Sequence, residues 1–539
     1  MADAGSPRLA RAATIMAGAT VASRVLGLLR EVVAAALFGA TNAKAAYVIA
    51  YYLPFFVQRL LLGGTLSIVF IPTISRLLAR GETDEARRVS GSLFTLVLVL
   101  GFAMVAAGQL IAPLLVPLAA PGFTASPGLI PLAVELTRII FVAMLFLALS
   151  VYVTGFLQAH HRFTVPALAP LLFNAVIIAG TLLLGTRYGI HGLAVSWILG
   201  TAAQFLVQLP AAWRLGLRFG PADVAHPAVR ELGRLAVPAM LGLAVVEINA
   251  YVGRFFASFI PATASTNAVA VLDYAYEVIQ APAGIFAISI ATAIFPLLAA
   301  HAATEARGEL RSTAMLALRT LLVIILPIAA LAIAARGSLI ALLFERGVFT
   351  GPATRAVAAA VAAYALGLPA IAAYYVVTRA YYALQDMATP VRIGAGMVVL
   401  NAGLDYALMR VWGAPGIALA TSIVSTVNVL VLLSLLRRRL DGIDAPRVGT
   451  TAVRAGVAAV GAGAVGAGAL RAVAASVAAP GTAGLLAQLA AATLAGGAAY
   501  LLLCRALRVS ELQVAWVMLT RRGTPLGEPA RGGRGGSAR

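Results

Sequence analysis

Long apolar runs, separated by short breaks with arginine, glycine or proline, make up most of this chain. Most runs are about 20 to 30 residues long, enough for a helix to cross a hydrocarbon core of about 30 Å. None alternates apolar and polar residues with the period of two that a membrane β-barrel strand requires. The pattern therefore predicts an all-α polytopic membrane protein with about fourteen helices. The predicted helices cover residues 14–38, 45–75, 89–118, 129–158, 164–186, 189–213, 235–260, 266–300, 312–344, 354–384, 389–411, 413–436, 451–475 and 482–505.

An internal repeat divides the first twelve predicted helices into two sets of six. Short patterns of the first set recur in the second at offsets of about 225 residues, too regular for a chance match of apolar sequence. Because each set has an even number of helices, both enter the membrane from the same side, and we expect parallel repeats about an axis along the membrane normal. The matched positions are Thr-Asn-Ala at 41–43 and 266–268, Leu-Gln at 157–158 and 384–385, Asn174 and Asn401, Gly189 and Gly413, and Gly192 and Gly416.

The repeat and the local composition predict four domains. Residues 1–218 form an N-terminal six-helix lobe, and residues 219–440 form a C-terminal six-helix lobe. Residues 441–510 hold two further helices, the thirteenth and fourteenth, whose many Ala and Gly residues permit close packing. Residues 511–539 form a tail whose Arg- and Gly-rich composition predicts disorder.

Composition narrows the class of protein further. The 539 residues are 61% hydrophobic and only 11% charged, whereas about 25% of residues are charged in a soluble domain. The net charge of +20 comes from arginines that lie between the apolar runs, so nucleic acid is not an expected partner. Cys504 is the only cysteine, and the five histidines have no metal-ligand spacing. We therefore expect neither an enzyme nor a metal centre of these residue types.

The distribution of arginine predicts the orientation of the chain. Arginine-rich loops alternate with loops that hold little beyond Lys44, Arg187, Arg346 and Arg355. Cytoplasmic loops carry the excess of positive charge, so both termini are predicted to be cytoplasmic.

Three charges lie inside the first predicted helix, namely Arg24, Arg30 and Glu31. A charge at membrane depth costs at least a few kcal/mol, so such residues usually face a cavity or a polar path. Arg24 and Arg30 are about 120° apart around the helix, and Glu31 is about 20° from Arg24. Guanidinium groups suit a diphosphate because they bind oxygens bidentately and stay charged. The alternative is a structural ion pair between Glu31 and either arginine.

The sequence allows two interpretations for each of the other charges in the apolar runs. Arg59 on the second predicted helix is a further cavity candidate, with snorkelling or helix pairing as the alternative. Asp273 and Glu277 are four residues apart and so share one helix face. They either pair with Arg24 or Arg30, or carry protons in a coupling cycle.

A second polar constellation lies in the C-terminal half. Asn401 and Asp405 are four residues apart on one helix, and Thr421 on the next helix could complete an oxygen cage for a monovalent cation. Glu247 could join them if its helix is rotated or kinked. The alternative is a polar contact between helices, with Asp405 hydrogen-bonded or protonated.

Several motifs in this chain resemble those of the MurJ (MviN) family of lipid II flippases, within the multidrug/oligosaccharidyl-lipid/polysaccharide exporter superfamily. The motifs lie at 23–31 (SRVLGLLRE), 38–40 (FGA), 53–54 (LP), 70–72 (FIP), 343–350 (LFERGVFT) and 381–391 (YYALQDMATPV). The resemblance implies fourteen helices, two lobes, cytoplasmic termini and a place in the bacterial inner membrane.

It also implies a function, namely movement of an undecaprenyl-diphosphate-linked peptidoglycan precursor to the outer leaflet by alternating access. Na⁺, H⁺ or the membrane potential would drive the cycle without any other cofactor, and the last two helices would form an apolar groove for the lipid tail. The protein would act as a monomer, in contact with cell-wall synthesis enzymes. Family members with a cation site resemble this chain at Asn401, Asp405 and Thr421, but their acid on the seventh helix falls on Gly253 here. The implied substrate-binding residues are Ser23, Arg24, Arg30, Glu31, Arg59 and Glu277.

The chain departs from the family pattern at three cavity positions. It has Ala45 where an acid is common, Gln58 where a second arginine is common, and Glu277 where an arginine is common. These changes lower the positive potential expected around a diphosphate. They leave two alternatives open: a paralogous exporter of another polyprenyl-linked glycan or a small cationic solute, and a non-transporting scaffold that recruits cell-wall enzymes through its tail.

Overall fold

Helices make up the structure, a computed structural model that describes residues 6–62, 70–221, 223, 251–476 and 481–514. The side chains of 6–17, 20–21 and 57–62 are outside this description. Within the described ranges the regular structure is helical, apart from one isolated parallel bridge between Ala40 and Thr266. The predicted all-α class is confirmed.

The helices follow one another with short connections. The first half contains α1 (Ser6–Phe38), α2 (Asn42–Leu62), α3 (Ile71–Ala79), α4 (Thr83–Ala119), α5 (Leu129–Ala159), α6 (Thr164–Leu206), α7 (Leu209–Arg214) and the helical residues 251–258 (α8). The second half contains α9 (Ala268–Pro282), α10 (Ile288–Ala303), α11 (Arg307–Ala334), α12 (Arg336–Phe344), α13 (Gly351–Ala383), α14 (Ala388–Trp412), α15 (Ala414–Arg439), α16 (Ala445–Ser476) and α17 (Thr482–Ala506).

Ten helical segments of the described chain are long and apolar enough to cross a membrane. This confirms a multi-pass membrane protein, while the count of fourteen stays a prediction. The predicted helix 312–344 is two helices, α11 and α12, that meet at Ala335. The predicted helix 266–300 contains a π-helical turn, Ala283–Ala287, directly after Pro282. Proline lacks the N–H that a regular helix needs, which explains a local change of hydrogen bonding there.

Two pairs of repeated glycines have the same structural role in both halves. Gly189 inside α6 and Gly413 between α14 and α15 have φ angles of +59° and +61°, a conformation that favours glycine. A Cβ on Gly192 would lie 2.2 Å from the carbonyl oxygen of Leu184, and a Cβ on Gly416 would lie 2.2 Å from that of Leu408. The sharp helix breaks at these points therefore need glycine in both repeats, which explains this sequence match.

The chain forms two compact units. The first contains Met1–Val278, Leu339–Tyr364 and Gly394–Thr421, and the second contains Ile279–Ser338, Ala365–Ile393 and Ser422–Arg539. In the first unit, Tyr152 of α5 is fully buried and donates a hydrogen bond to the Ser90 carbonyl oxygen of α4 at 2.6 Å. In the second, Tyr500 of α17 donates one to the Val323 carbonyl oxygen of α11 at 2.7 Å. The four predicted domains stay a prediction.

The motif at 381–391 forms a corner between α13 and α14. The backbone N–H of Thr389 donates to Oδ1 of Asp386 at 3.0 Å, and Arg439 forms an ion pair with Oδ2 at 2.9 Å. Burial alone would raise the pKa of Asp386, but the hydrogen bonds from Thr389 and the charge of Arg439 lower this pKa below its ordinary value. The corner is therefore held by an ionised carboxylate.

Candidate functional site: a buried charge network beside a free arginine

The helix α1 places Arg30 and Glu31 against α2 and α6. Nη2 of Arg30 lies 2.9 Å from Oε1 of Glu31, and Nη1 donates to Oδ1 of Asn174 at 3.4 Å. The guanidinium also lies 5.5 Å from the ring centroid of Trp197, within range of a cation–π interaction. The structural pairing of Arg30 with Glu31 is therefore present. The arginine side chain nonetheless keeps 17% of its surface exposed.

Ser23 is tied to the same region through Asn174. The amide nitrogen of Asn174 lies 3.3 Å from Oγ of Ser23 and 3.0 Å from the Pro170 carbonyl oxygen. One asparagine side chain thus links both ends of the SRVLGLLRE motif to α6. Neither Asn174 nor Trp197 was a predicted site residue, although the repeat had matched Asn174 with Asn401.

Arg24 has a different environment from Arg30. Its side chain is exposed, and it makes no hydrogen bond or ion pair with any of the described residues. Arg24 and Ser23 line a pocket of about 240 Å³ together with Gln158 and Pro170. This pocket lies at the end of α1 that the arginine distribution predicts to be cytoplasmic. As far as the described residues go, Arg24 is thus a guanidinium available to bind an anion.

Lys44 is the centre of the buried network, although the charge pattern had placed it in an outer loop. The helix α2 begins at Asn42, so Lys44 is helical, and it is only 1% exposed. Its Nζ lies 2.9 Å from Oε2 of Glu31 and 3.4 Å from Oδ2 of Asp273. Lys44 is also the only lysine among the 40 basic residues, the one signal in the sequence that sets it apart.

Asp273 of α9 pairs with Lys44 and Arg254, and not with Arg24 or Arg30 as proposed from the sequence. Nη2 of Arg254 lies 3.7 Å from Oδ1 of Asp273, and Tyr51 donates a hydrogen bond to the same oxygen at 2.9 Å. Arg254 also hydrogen-bonds to the hydroxyl of Tyr52. Alternating charges therefore run from α1 through α2 and α9 to α8.

Glu277 lies one turn after Asp273 on the same face of α9. Its side chain is half-buried, and it has no hydrogen bond or ion pair within the part of the chain that the structure describes. The charges of Glu31, Asp273, Arg30 and Lys44 all act on it. Of the other two departures from the family pattern, Ala45 is fully buried next to Lys44. The side chains of Gln58 and of the predicted site residue Arg59 lie outside the description.

At the predicted outer end of the network, Asn267 forms hydrogen bonds to Ala40 and Asn42. The backbone N–H of Asn267 donates to the Ala40 carbonyl oxygen at 2.7 Å, and its side chain donates to Oδ1 of Asn42 at 2.9 Å. Asn42 and Asn267 are equivalent positions of the repeat. The structure thus brings into contact two residues that the sequence repeat matches.

The polar group of Asn401, Asp405 and Thr421 has two side-chain oxygens without a hydrogen-bond partner among the described residues. Asn401 and Asp405 are 2% and 0% exposed, and Nδ2 of Asn401 donates to Oδ2 of Asp405 at 3.0 Å. The Oδ1 atoms of both residues have no hydrogen-bond partner among the described residues. Thr421 is half-buried and donates to the Ile417 carbonyl oxygen at 3.2 Å.

The neighbourhood of these oxygens includes the position of the missing family acid. A Cβ on Gly253 would lie 3.8 Å from Oδ2 of Asp405, so a side chain at this position would face the carboxylate. The predicted substitute Glu247 lies outside the described residues. The two unpaired oxygens are of the type that a small hard cation prefers as ligands.

Comparison with known proteins identifies the family of the chain. The family model described as "Lipid II flippase MurJ" matches residues 34–503. The lipid II flippase MurJ of Burkholderia cenocepacia is 29% identical over 449 residues, covering 82% of this chain and 86% of that protein. The probable lipid II flippase MurJ of Rhizobium meliloti is 32% identical over 434 residues, covering 78% of this chain and 79% of that protein.

Solved structures share the fold. A lipid II flippase MurJ in an inward closed conformation superposes with a TM-score of 0.74 at 24% identity, over 94% of this chain and 100% of that chain. An inward-facing multidrug resistance MATE family transporter of the MOP superfamily gives a TM-score of 0.65 at 15% identity, over 78% of this chain and 94% of that chain. Since the family model spans most of the sequence, this chain belongs to the lipid II flippase MurJ family.

Proposed function

We propose that this chain moves lipid II, a peptidoglycan precursor linked to undecaprenyl diphosphate, from the cytoplasmic to the outer leaflet of the bacterial inner membrane. Family membership supports the substrate class, and the observation that supports the binding mode is the free Arg24 at the pocket. Transport breaks no covalent bond, so the protein is a transporter and not an enzyme. Alternating access between the two repeats moves the headgroup.

The arginines of α1 bind the diphosphate in two steps. Arg24 makes the first contact because no ion pair with the described residues has to break. Arg30 then exchanges its contact with Glu31 for a phosphate oxygen. Lys44 keeps Glu31 neutralised during this exchange, since it lies 2.9 Å from the other carboxylate oxygen. The exchange therefore leaves no buried acid without a counter-ion.

The helices α16 and α17 provide the surface for the polyprenyl tail. They pack closely, since a Cβ on Gly496 would lie 2.9 Å from the Ala462 carbonyl oxygen. Leu494 and Leu502 of α17 are largely exposed, as expected for side chains in contact with lipid. An apolar groove along this pair would hold the tail while the headgroup crosses the membrane.

A monovalent cation, Na⁺ or H⁺, bound at Asn401, Asp405 and Thr421 resets the cycle, with the membrane potential as the second driving force. The unpaired buried oxygens of Asn401 and Asp405 support this proposal. The protein acts as a monomer, with both termini in the cytoplasm and in contact with cell-wall synthesis enzymes.

Complementation tests the role of Arg24. In cells depleted of their own lipid II flippase, the wild-type chain should restore growth and outer-leaflet lipid II, whereas Arg24→Ala should reduce the flipping rate by about ten- to a hundredfold. This range corresponds to about 1.5–3 kcal/mol for a hydrogen bond to a charged group. Arg80→Ala is the matched control, because Arg80 is an exposed arginine outside the site.

Two results would contradict the proposal. A correctly inserted wild-type chain that restores no outer-leaflet lipid II would overturn the function. Rescue by Arg24→Ala equal to that by Arg80→Ala would overturn the role of Arg24 while leaving the function intact.

A further inference from the structure

The pocket beside Arg24 has room for more than the phosphate that this arginine would bind. Its volume is about 240 Å³, somewhat below the roughly 300–1,000 Å³ of pockets that enclose a whole small ligand. Three side chains bring polar groups to it, namely the guanidinium of Arg24, the amide of Gln158 and the hydroxyl of Ser23. The pocket therefore fits one part of a larger headgroup.

Gln158 lies in the last turn of α5 and lines the pocket. The backbone at this corner is fixed, since the N–H of His161 donates to the Gln158 carbonyl oxygen at 2.9 Å. The side chain is half-buried, yet it makes no hydrogen bond within the ranges of the chain that the structure describes. A neutral amide has two donors and one acceptor. Gln158 can therefore pair with a neutral polar group that has both a donor and an acceptor.

Ser23 supplies a second neutral donor. Its Oγ accepts a hydrogen bond from Nδ2 of Asn174 at 3.3 Å, and no described residue accepts a hydrogen bond from its hydroxyl. Asn174 also accepts a hydrogen bond from Arg30 at 3.4 Å, so this side of the pocket is connected to the rest of the site. A hydroxyl keeps one O–H to donate after it has accepted a bond. The pocket thus offers one cation and two neutral polar side chains to a ligand.

The other walls of the pocket are apolar. Pro166 is buried, and Phe163, Ala167 and Pro170 are half-buried. None of the described lining residues is acidic. These walls suit a sugar, whose ring presents C–H groups to apolar side chains and hydroxyl or amide groups to polar ones. A second phosphate would be expected beside a second cation, and a lipid tail would leave the Gln158 amide without a hydrogen bond.

We propose that this pocket binds the sugar attached to the diphosphate of the lipid-linked substrate. The Gln158 amide hydrogen-bonds to a hydroxyl or amide group of that sugar, while Arg24 contacts the neighbouring phosphate. The inference rests on the proposed function and makes Gln158 a specificity-determining residue. Because the pocket lies at the predicted cytoplasmic end of α1, the sugar is recognised when the headgroup first enters, before the two repeats move.

Binding of three lipids tests this inference. The purified full-length chain in lipid nanodiscs is titrated with undecaprenyl diphosphate, with the same lipid carrying one sugar, and with lipid II. We expect Gln158→Leu to lower the affinity for both sugar-bearing lipids by about three- to tenfold, as for one hydrogen bond between neutral groups. The affinity for undecaprenyl diphosphate should stay at the wild-type value, which also shows that the variant is folded. Arg24→Ala should weaken binding of all three lipids.

Gln204→Leu is the matched control, because Gln204 is a half-buried glutamine of α6 whose side chain neither lines the pocket nor hydrogen-bonds to a described residue. This variant should bind all three lipids as the wild-type chain does. The inference is overturned if Gln158→Leu binds the sugar-bearing lipids as tightly as wild type, or if it loses affinity for all three lipids equally. A loss confined to lipid II would place the contact beyond the first sugar and would also overturn it.

A second variant makes the test independent of one substitution. Gln158→Met keeps the length of the side chain but not its hydrogen bonds, and it should give the same pattern as Gln158→Leu. Failure of the proposed function gives a different result. A wild-type chain that binds none of the three lipids would overturn the proposed function, and this inference with it.

Discussion

At the scale of single residues, Lys44 shows how one side chain organises a buried site. Its ammonium contacts two acids from different helices, and it lies 4.7 Å from the ring centroid of Tyr274. An ammonium is a compact charge with three donors, whereas a guanidinium is a planar fork of five donors. The ammonium lies among Glu31, Asp273 and the rings of Tyr47 and Tyr274. This space suits the compact group. This geometry explains a lone lysine in a chain that otherwise uses arginine.

Removal of this ammonium should destabilise the folded protein strongly. Lys44→Met leaves Glu31 and Asp273 facing each other with less compensation, and losing one partner of a buried ion pair costs about 3–5 kcal/mol. We expect a large fall in the melting temperature of the detergent-solubilised protein. Lys44→Arg keeps the charge but not the shape, so we expect an intermediate melting temperature.

A double variant separates charge from packing. Glu31→Gln together with Lys44→Met removes both charges of one pair, so the combined loss should be smaller than the sum of the two single losses. Additive losses would show that Glu31 and Lys44 are not coupled. A Lys44→Met protein as stable as wild type would show that the contacts of Lys44 contribute no net stability.

Sequence reasoning found some site residues and missed others for a physical reason. Arg24, Arg30 and Glu31 were predicted because a charge inside an apolar run stands out against its neighbours. Lys44 lies at the start of α2, where the sequence pattern is equally consistent with a loop residue. Asn174 and Trp197 meet Arg30 only through packing of α6 on α1, which periodicity does not reveal. The ion pair between Arg254 and Asp273 likewise depends on tertiary structure.

At the scale of elements, glycine sets the helix breaks that the repeat shares. The long helices are predictable from hydropathy, and the sequence repeat alone matches Gly189 with Gly413. The break at Ala335 and the π-helical turn after Pro282 were not predictable, because hydropathy does not distinguish one helical hydrogen-bond pattern from another.

The close approach at Gly416 gives a test at this scale. Gly416→Ala puts a Cβ at 2.2 Å from the Leu408 carbonyl oxygen, so the junction of α14 and α15 must shift, and we expect a clear loss of thermal stability. Gly403→Ala on α14 is the matched control, since its Cβ meets nothing within 4 Å. Alanine is favoured over glycine in a helix by about 1 kcal/mol, so this control should be neutral or stabilising. Equal stability of the two variants would contradict the reading of this contact.

At the scale of the whole molecule, the two repeats meet at equivalent residues. The hydrogen bond between Asn42 and Asn267 joins positions that the sequence alone had matched. The all-helical class and the multi-pass character followed from hydropathy, because the membrane constrains helix length strongly. Helix number, parallel repeats and orientation stay predictions from hydropathy and arginine distribution. The charge network did not follow, since it depends on which helix faces meet.

Orientation in the membrane gives the prediction at this scale. Cys504 is fully buried, so Cys504→Ala provides a background for single cysteines placed at exposed alanines. With cytoplasmic termini, Ala125→Cys and Ala264→Cys should react with a membrane-impermeant maleimide in intact cells. Ala79→Cys and Ala303→Cys should react only after the membrane is permeabilised. The opposite labelling pattern would reverse the proposed orientation.

Because Lys44 is the only lysine and is buried, its acylation can report how often the buried ion pairs open. Apart from the terminal amine, an amine-acylating reagent has one target in the chain, and this target is 1% exposed. Acylation of Lys44 therefore requires the ammonium to leave Glu31 and Asp273. The mass of the intact protein, followed over time with and without substrate, measures how often that happens without any introduced label.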